Sequence, residues 1–96
     1  MPEIAPDDRC LTLVIAAFDE AEALPRLLPR ITTALDAAQG EGLQARALFV
    51  DDGSRDGTWA LLQACARDDS RVALLRLSRN FGKEAALTAG LDRVER

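Results

Sequence analysis

The sequence predicts an α/β fold, a three-layer arrangement with a parallel sheet between helices, built in the order β-α-β-α-β-α. Three observations carry this reading. Short and nearly unbroken apolar runs occur three times along the chain. Longer segments with apolar residues at steps of three and four separate them. Each run also ends in a polar loop. Continuous rather than alternating apolarity marks a strand covered on both faces, and parallel neighbours are joined by helical, right-handed crossovers.

The first strand is expected over Leu11–Phe18, which is apolar except for Thr12. A helix follows, with Leu24, Leu27, Leu28, Ile31 and Leu35 on one stripe. Pro25 suits its first turn, whereas Pro29 lies deeper and is expected to kink the helix or delay its regular start. Gly40-Glu41-Gly42 stops it. The second strand is expected over Ala47–Val50, ending at Asp51-Asp52-Gly53. Asp56 then caps a helix with Leu61, Leu62 and Cys65 inward, closed by Asp68-Asp69-Ser70. The third strand is expected over Val72–Leu77. A last helix carries Leu87, Gly90, Leu91 and Val94 on its inward stripe, and its small residues Ala85, Ala86, Ala89 and Gly90 permit close approach to a sheet.

Ninety-six residues allow one small domain. Hydrophobic residues at 48% and charged residues at 29% describe a folded, water-facing chain. The net charge of −4 argues against duplex nucleic acid or an anionic membrane surface as partner, since both reward a basic footprint. With no histidine, the usual imidazole base and commonest zinc ligand are missing. The acidic start has no apolar export core, and Leu11–Phe18 is far short of the ~20 residues of a membrane helix. Cys10 and Cys65 stand apart without CxxC spacing and read as reduced thiols. The expected location is cytoplasmic.

In a doubly wound sheet the first strand lies centrally, with the second and third on one side of it. Here nothing covers its other side, and a bare apolar edge invites pairing. The expectation is a tail over 1–10 followed, over 11–96, by the first part of a larger α/β domain. Self-association through the first strand is the other way to cover that edge.

Ligands of open α/β sheets bind beyond the carboxyl ends of the strands, which here means the loops 18–22, 51–57 and 78–83. In the second loop, Asp51 and Asp52 can accept from a base N–H or ribose hydroxyls, or hold a hard cation through water. Gly53 permits a sharp turn, and Ser54 or Asp56 can satisfy the N–H groups of the next helix. Turn-and-cap chemistry alone would account for the same residues. In the first loop, Phe18 can stack on a base and Glu20 can accept from its edge. The third, Ser78-Arg79-Asn80-Phe81-Gly82-Lys83, puts two cations and a glycine near a helix N-terminus, which suits a phosphate. An EF-hand pattern started at Asp52 fails at its twelfth position, Gln63. Neither G-x-G-x-x-G nor the phosphate-loop pattern occurs. A receiver domain would want a lysine on a later strand end, which has no strand here.

Taken together, these segments resemble the start of a family 2 glycosyltransferase of the GT-A fold. Ile15-Ala16-Ala17-Phe18-Asp19-Glu20 is similar to its (V/I)P-x-YNE stretch, and Val50-Asp51-Asp52-Gly53-Ser54 with Asp56-Gly57-Thr58 to its DDGS-x-DGT element. Leu77-Ser78-Arg79-Asn80-Phe81-Gly82-Lys83-Glu84-Ala85-Ala86-Leu87, with Ala89-Gly90-Leu91, resembles a segment of the branch that moves a sugar from a nucleotide donor to a polyprenyl phosphate. The resemblance implies that this chain is the nucleotide-binding half of a Rossmann-like domain serving cell-envelope glycan synthesis. It implies a UDP- or GDP-sugar donor, a lipid-phosphate acceptor bound by a part beyond Arg96, and Mg²⁺ or Mn²⁺ in the complete domain. It also implies a place at the inner face of the membrane for a complete protein. Nucleotide contacts carry over to Ala16, Phe18, Glu20, Val50 and Asp52, with Asp52 binding the base and Phe18 packing on it. Asp51, Asn80 and Lys83 lie nearby. Ala16 stands for the usual proline, Phe18 for tyrosine and Asp19 for asparagine. The metal-binding D-x-D and the catalytic carboxylate have no counterpart before Arg96, so no residue here is assigned to bond-making. The alternative is a non-catalytic nucleotide-binding α/β module acting through a partner.

Overall fold

The computed structural model describes residues 9–94. Its order is β1 (Cys10–Ala17), α1 (Leu24–Gly40), β2 (Gln44–Asp51), α2 (Thr58–Asp68), β3 (Val72–Arg76) and α3 (Lys83–Val94). The three strands form one parallel sheet in the order β1-β2-β3. The expected three-layer fold is present, with β1 at an edge of the sheet as it stands in this chain. The tail expected over 1–10 falls mostly outside the described residues, and β1 already begins at Cys10.

The pleat sends alternate side chains to opposite faces. Ala45, Ala47 and Phe49 of β2 join Leu24, Leu35 and Leu62 of α1 and α2 in the larger core. Leu48 and Val50 face the other way, into a smaller core with Ala86 of α3. Phe49 is fully buried, and burying an aromatic of that size contributes ~1.5–3 kcal/mol. The register Ala17↔Asp51↔Arg76 brings all three strand ends level, so their loops share one end of the sheet.

Four expectations need correcting. β2 starts at Gln44, three residues before the apolar run, because the ladder to β1 pairs Cys10 with Gln44 and buries Ala45. Phe18 falls just past β1 and is 41% exposed. α1 runs from Leu24 to Gly40 with Pro29 inside it, and its start is not delayed. The Pro25 carbonyl, which loses its helical donor at Pro29, belongs to an exposed residue where water can replace that donor. Finally, Leu91 and Val94 of the expected α3 stripe are exposed, whereas Gly90 of that stripe and the small residue Ala86 face the sheet as expected. A Cβ on Gly90 would lie 2.6 Å from Val14 Cγ1 and 2.8 Å from Val50 Cγ2. The helix therefore approaches the sheet on its smallest residues, and that choice turns Leu91 and Val94 outward.

Candidate functional site

Asp51 and Asp52 are neighbours in sequence and separated in function by the pleat. Asp51 continues the Ala45-Ala47-Phe49 face toward α2. It is fully buried, and its Oδ1 accepts the Ser54 N–H at 3.0 Å, which closes the turn after β2. Its Oδ2 is buried without a hydrogen-bond partner among the described residues, with Arg76 Nε 3.9 Å away. The Arg76 guanidinium in turn lies over the Trp59 ring, 4.9 Å from its centroid.

Asp52 serves the opposite side and is only 2% exposed. Its Oδ1 accepts the Phe81 N–H at 2.8 Å, and its Oδ2 accepts from Gly82 N–H and Asn80 Nδ2, each at 3.0 Å. The third loop thus folds around this carboxylate. Gly53, at φ +74°, makes the approach possible, since a Cβ there would sit 2.3 Å from the Arg79 carbonyl carbon. Two amides just before α3, where the sequence suggests a phosphate, are already engaged by Asp52.

The first loop is tied to the second as firmly. Asp19 takes a left-handed conformation, φ +50°, which aspartate tolerates better than most residues. Its N–H donates to Ser54 Oγ at 2.9 Å, and its carboxylate accepts the Arg55 N–H at 2.8 Å. The Glu20 N–H donates to Thr58 Oγ1 at 2.8 Å, and the Ala21 N–H to Asp56 Oδ2 at 3.2 Å. Asp56 does not occupy the N-cap of α2. That position is Gly57, and the Asp56 carboxylate reaches past it to the Thr58 N–H and hydroxyl. The Thr58 hydroxyl is the chief reason that the Asp56 carboxyl titrates below its usual range.

The three loops enclose a cleft of about 210 Å³ lined by Ala16, Ala17, Phe18, Glu20, Asp52, Asn80 and Lys83. Six of the eight residues expected from sequence therefore meet in one place. Val50 and Asp51 do not reach its wall. Val50 is fully buried against α3, and the pleat sends Asp51 to the other face. Of the two expected cations, Lys83 lines the cleft, while Arg79 lies over the Phe81 ring at 4.8 Å. Sequence reasoning missed Ala17 as a wall residue and the cross-loop roles of Asp19, Ser54 and Thr58. The one available signal was the density of hydroxyls and carboxylates on two loops that the topology sets side by side.

The cleft is smaller than the ~300–1,000 Å³ of sites that enclose a whole small molecule. Its walls offer one aromatic face at Phe18, a free carboxylate at Glu20, an amide at Asn80 and an ammonium at Lys83. Such a set can stack on one face of a planar ring and counter a negative charge. A divalent cation fits poorly. The Asp52 carboxylate is directed to three N–H donors, and no group of three or more His, Cys, Asp or Glu among the described residues could hold a metal ion. No helix among the described residues is long and apolar enough to cross a membrane.

Comparison with known proteins follows the same residues. An undecaprenyl-phosphate 4-deoxy-4-formamido-L-arabinose transferase of Pseudomonas fluorescens is 41% identical over 84 residues, covering 86% of this chain and 24% of its own length. A prophage bactoprenol glucosyl transferase homolog of Escherichia coli is 38% identical over 82 residues, covering 85% of this chain and 26% of its own. An uncharacterized glycosyltransferase, YkoT, of Bacillus subtilis is 38% identical over 88 residues. The chain spans about a quarter of the length of the relatives it matches. The profile of Glycosyl transferase family 2 matches residues 12–95, which takes in all three strands except the first two residues of β1 and all three loops of the cleft, and the chain belongs to that family.

Proposed function

We propose that the cleft holds the nucleotide part of a nucleotide-sugar donor, UDP- or GDP-linked, in a glycosyltransferase that delivers the sugar to a polyprenyl phosphate. The observation that carries this reading is the convergence of Phe18, Glu20, Asn80 and Lys83 from two separate loops on one cleft at the carboxyl end of a parallel sheet. Phe18 and Glu20 form the side for the base, through a ring face and an acceptor for its N–H groups. Lys83 forms the side for phosphate oxygens through its ammonium, and Asn80, whose amide nitrogen is held by Asp52, completes the wall beside it. Ala16 lines the cleft between them and packs on the buried cluster of Val50 and Ala86.

The acceptor class rests on the names of the relatives, which refer to undecaprenyl phosphate and bactoprenol. Family membership favours a divalent cation and a nucleotide sugar in the complete reaction. No described residue is assigned here to the sugar or the acceptor, and the reading is that this chain alone binds the nucleotide and transfers no sugar.

Calorimetric titration with UDP, GDP and ADP tests the reading. Saturable binding of UDP or GDP, weakened about tenfold or more by Glu20→Ala through loss of a hydrogen bond to a charged acceptor, supports it. Equal binding of all three with no effect of Glu20→Ala refutes base recognition at this cleft. Turnover of a sugar donor by the 96-residue chain would refute the claim that it is inactive alone.

A further inference from the structure

We propose that Asp19 is a positioning residue, which ties the first loop to the turn after β2 and so sets Phe18 and Glu20 on the cleft wall. The inference rests on the nucleotide reading of the cleft, in which those two side chains meet the base. Asp19 stands between them in the chain and is exposed, but it takes no part in the cleft's lining. Its contacts go to the second loop instead. Its N–H donates to Ser54 Oγ at 2.9 Å, and its Oδ1 accepts from the Arg55 N–H at 2.8 Å and the Asp56 N–H at 3.4 Å. Ser54 is itself fixed, since its N–H donates to Oδ1 of the fully buried Asp51 at 3.0 Å. The first loop is thus tied through Asp19 and Ser54 to a carboxylate in the core.

Backbone geometry makes Asp19 the point of control. Among the described residues it is the only one other than glycine with a positive φ, at +50°. An L side chain there crowds its own backbone, and aspartate is tolerated because its short polar side chain can bond locally. Such a conformation persists where its surroundings over-determine it, and here bonds from both the backbone and the side chain of Asp19 do so. The turn falls directly after Phe18 and directly before Glu20, so the dihedrals of Asp19 set how those two side chains are directed relative to each other. Burial does not place them, for Phe18 is 41% exposed and Glu20 is exposed as well. Lys83 belongs to α3, and none of these bonds reaches it. Asp19 therefore acts on the base through Phe18 and Glu20, and not on the phosphate.

Two variants test the assignment. Asp19→Ala removes the acceptor and resists the left-handed turn, whereas Asp19→Asn keeps an acceptor oxygen and tolerates that turn. NMR on the ligand-free, isotopically labelled chain reads the loop first. In Asp19→Ala the Arg55 amide is expected to exchange with solvent about tenfold faster. The amide order parameters of Phe18 and Glu20 should fall while that of Leu35 is unchanged, and Asp19→Asn should restore both properties. Unchanged Arg55 exchange, or unchanged order at Phe18 and Glu20, in Asp19→Ala would overturn the proposal. Titration with UDP, GDP and inorganic pyrophosphate then reads the ligand. Asp19→Ala is expected to weaken whichever nucleotide the unaltered chain binds by about tenfold and to leave pyrophosphate unchanged, with Asp19→Asn close to the unaltered chain on both. An equal loss of nucleotide and pyrophosphate, or a loss in Asp19→Asn as large as in Asp19→Ala, would overturn the proposal. If the unaltered chain binds neither nucleotide, the nucleotide reading fails, while the ligand-free exchange and order parameters still decide whether Asp19 holds the loop. If Asp19→Ala does not fold, Asp19→Gly takes its place, since it loses the acceptor and leaves the turn allowed. The same nucleotide loss with pyrophosphate unchanged is then expected, and unchanged affinity for both would overturn the proposal.

Discussion

Replacing Thr58 by valine removes one hydroxyl from a fully buried position and keeps the shape of the side chain. That hydroxyl accepts the Glu20 N–H at 2.8 Å and donates to Asp56 Oδ1, so it joins the first loop to the second. The two bonds count differently. The Asp56 side is open to water, which replaces the lost donor at little cost. The Glu20 amide is partly buried, and leaving it without an acceptor costs about 1–2 kcal/mol. A domain of this size loses ~4–8 °C of melting temperature per kcal/mol, so Thr58→Val is expected to melt ~5–15 °C lower. Thermal unfolding by circular dichroism measures the loss. Amide exchange locates it at Glu20, and the Asp56 carboxyl should titrate closer to its usual range. A variant that melts with the parent and keeps a protected Glu20 amide would refute the claim that this hydroxyl clamps the first loop.

Gly53→Ala puts a Cβ into the Arg79 and Asn80 backbone at φ +74°, where an L-residue alone costs ~1–2 kcal/mol. It should shift the amide resonances of the third loop and lower the urea midpoint. Gly90→Ala gains ~1 kcal/mol of helix propensity against ~1–3 kcal/mol of overpacking on Val14 and Val50, so urea titration should show a net loss. Asp56 is held below the usual carboxylate range chiefly by the Thr58 hydroxyl, and Asp69 chiefly by the Arg71 guanidinium. A depressed folded-state value adds stability above the unfolded value of ~3.9 that is lost as pH falls through the folded value. Urea midpoints should therefore hold from neutral pH to about 5 and fall below about 4, less steeply in Arg71→Met. Burial, and then the Asp69 and Asp68 carboxylates, push the Cys65 thiol up, so it should react with a disulfide reagent at pH 8 more slowly than an unperturbed thiol, whose value is ~8.5.

Much of the architecture was legible because strands covered on both faces announce themselves as unbroken apolar runs. Phe49 and Val50 sit where such a run predicts. The start of β2 was hidden because Gln44 and Arg46 are polar, and only the ladder to β1 draws them into the sheet. On α3 the close approach through Ala86 and Gly90 was legible, but the outward turn of Leu91 and Val94 that it forces was not. The cleft was legible as three loops at one end of the sheet. The division of labour between Asp51 and Asp52 was not, since it depends on which way the pleat faces at the end of β2. Contacts such as Asp19 to Ser54 and Glu20 to Thr58 bridge residues far apart in the chain, and no local pattern encodes them.

The most direct test of the nucleotide reading is an amide NMR titration of this chain with UDP and then GDP, with and without Mg²⁺. Saturable shifts confined to residues around Phe18, Glu20, Asn80 and Lys83, larger for one base than the other, are the predicted result. A folded spectrum in which neither nucleotide moves those resonances, or in which the shifts fall on the outer faces of α1 and α2, would contradict it.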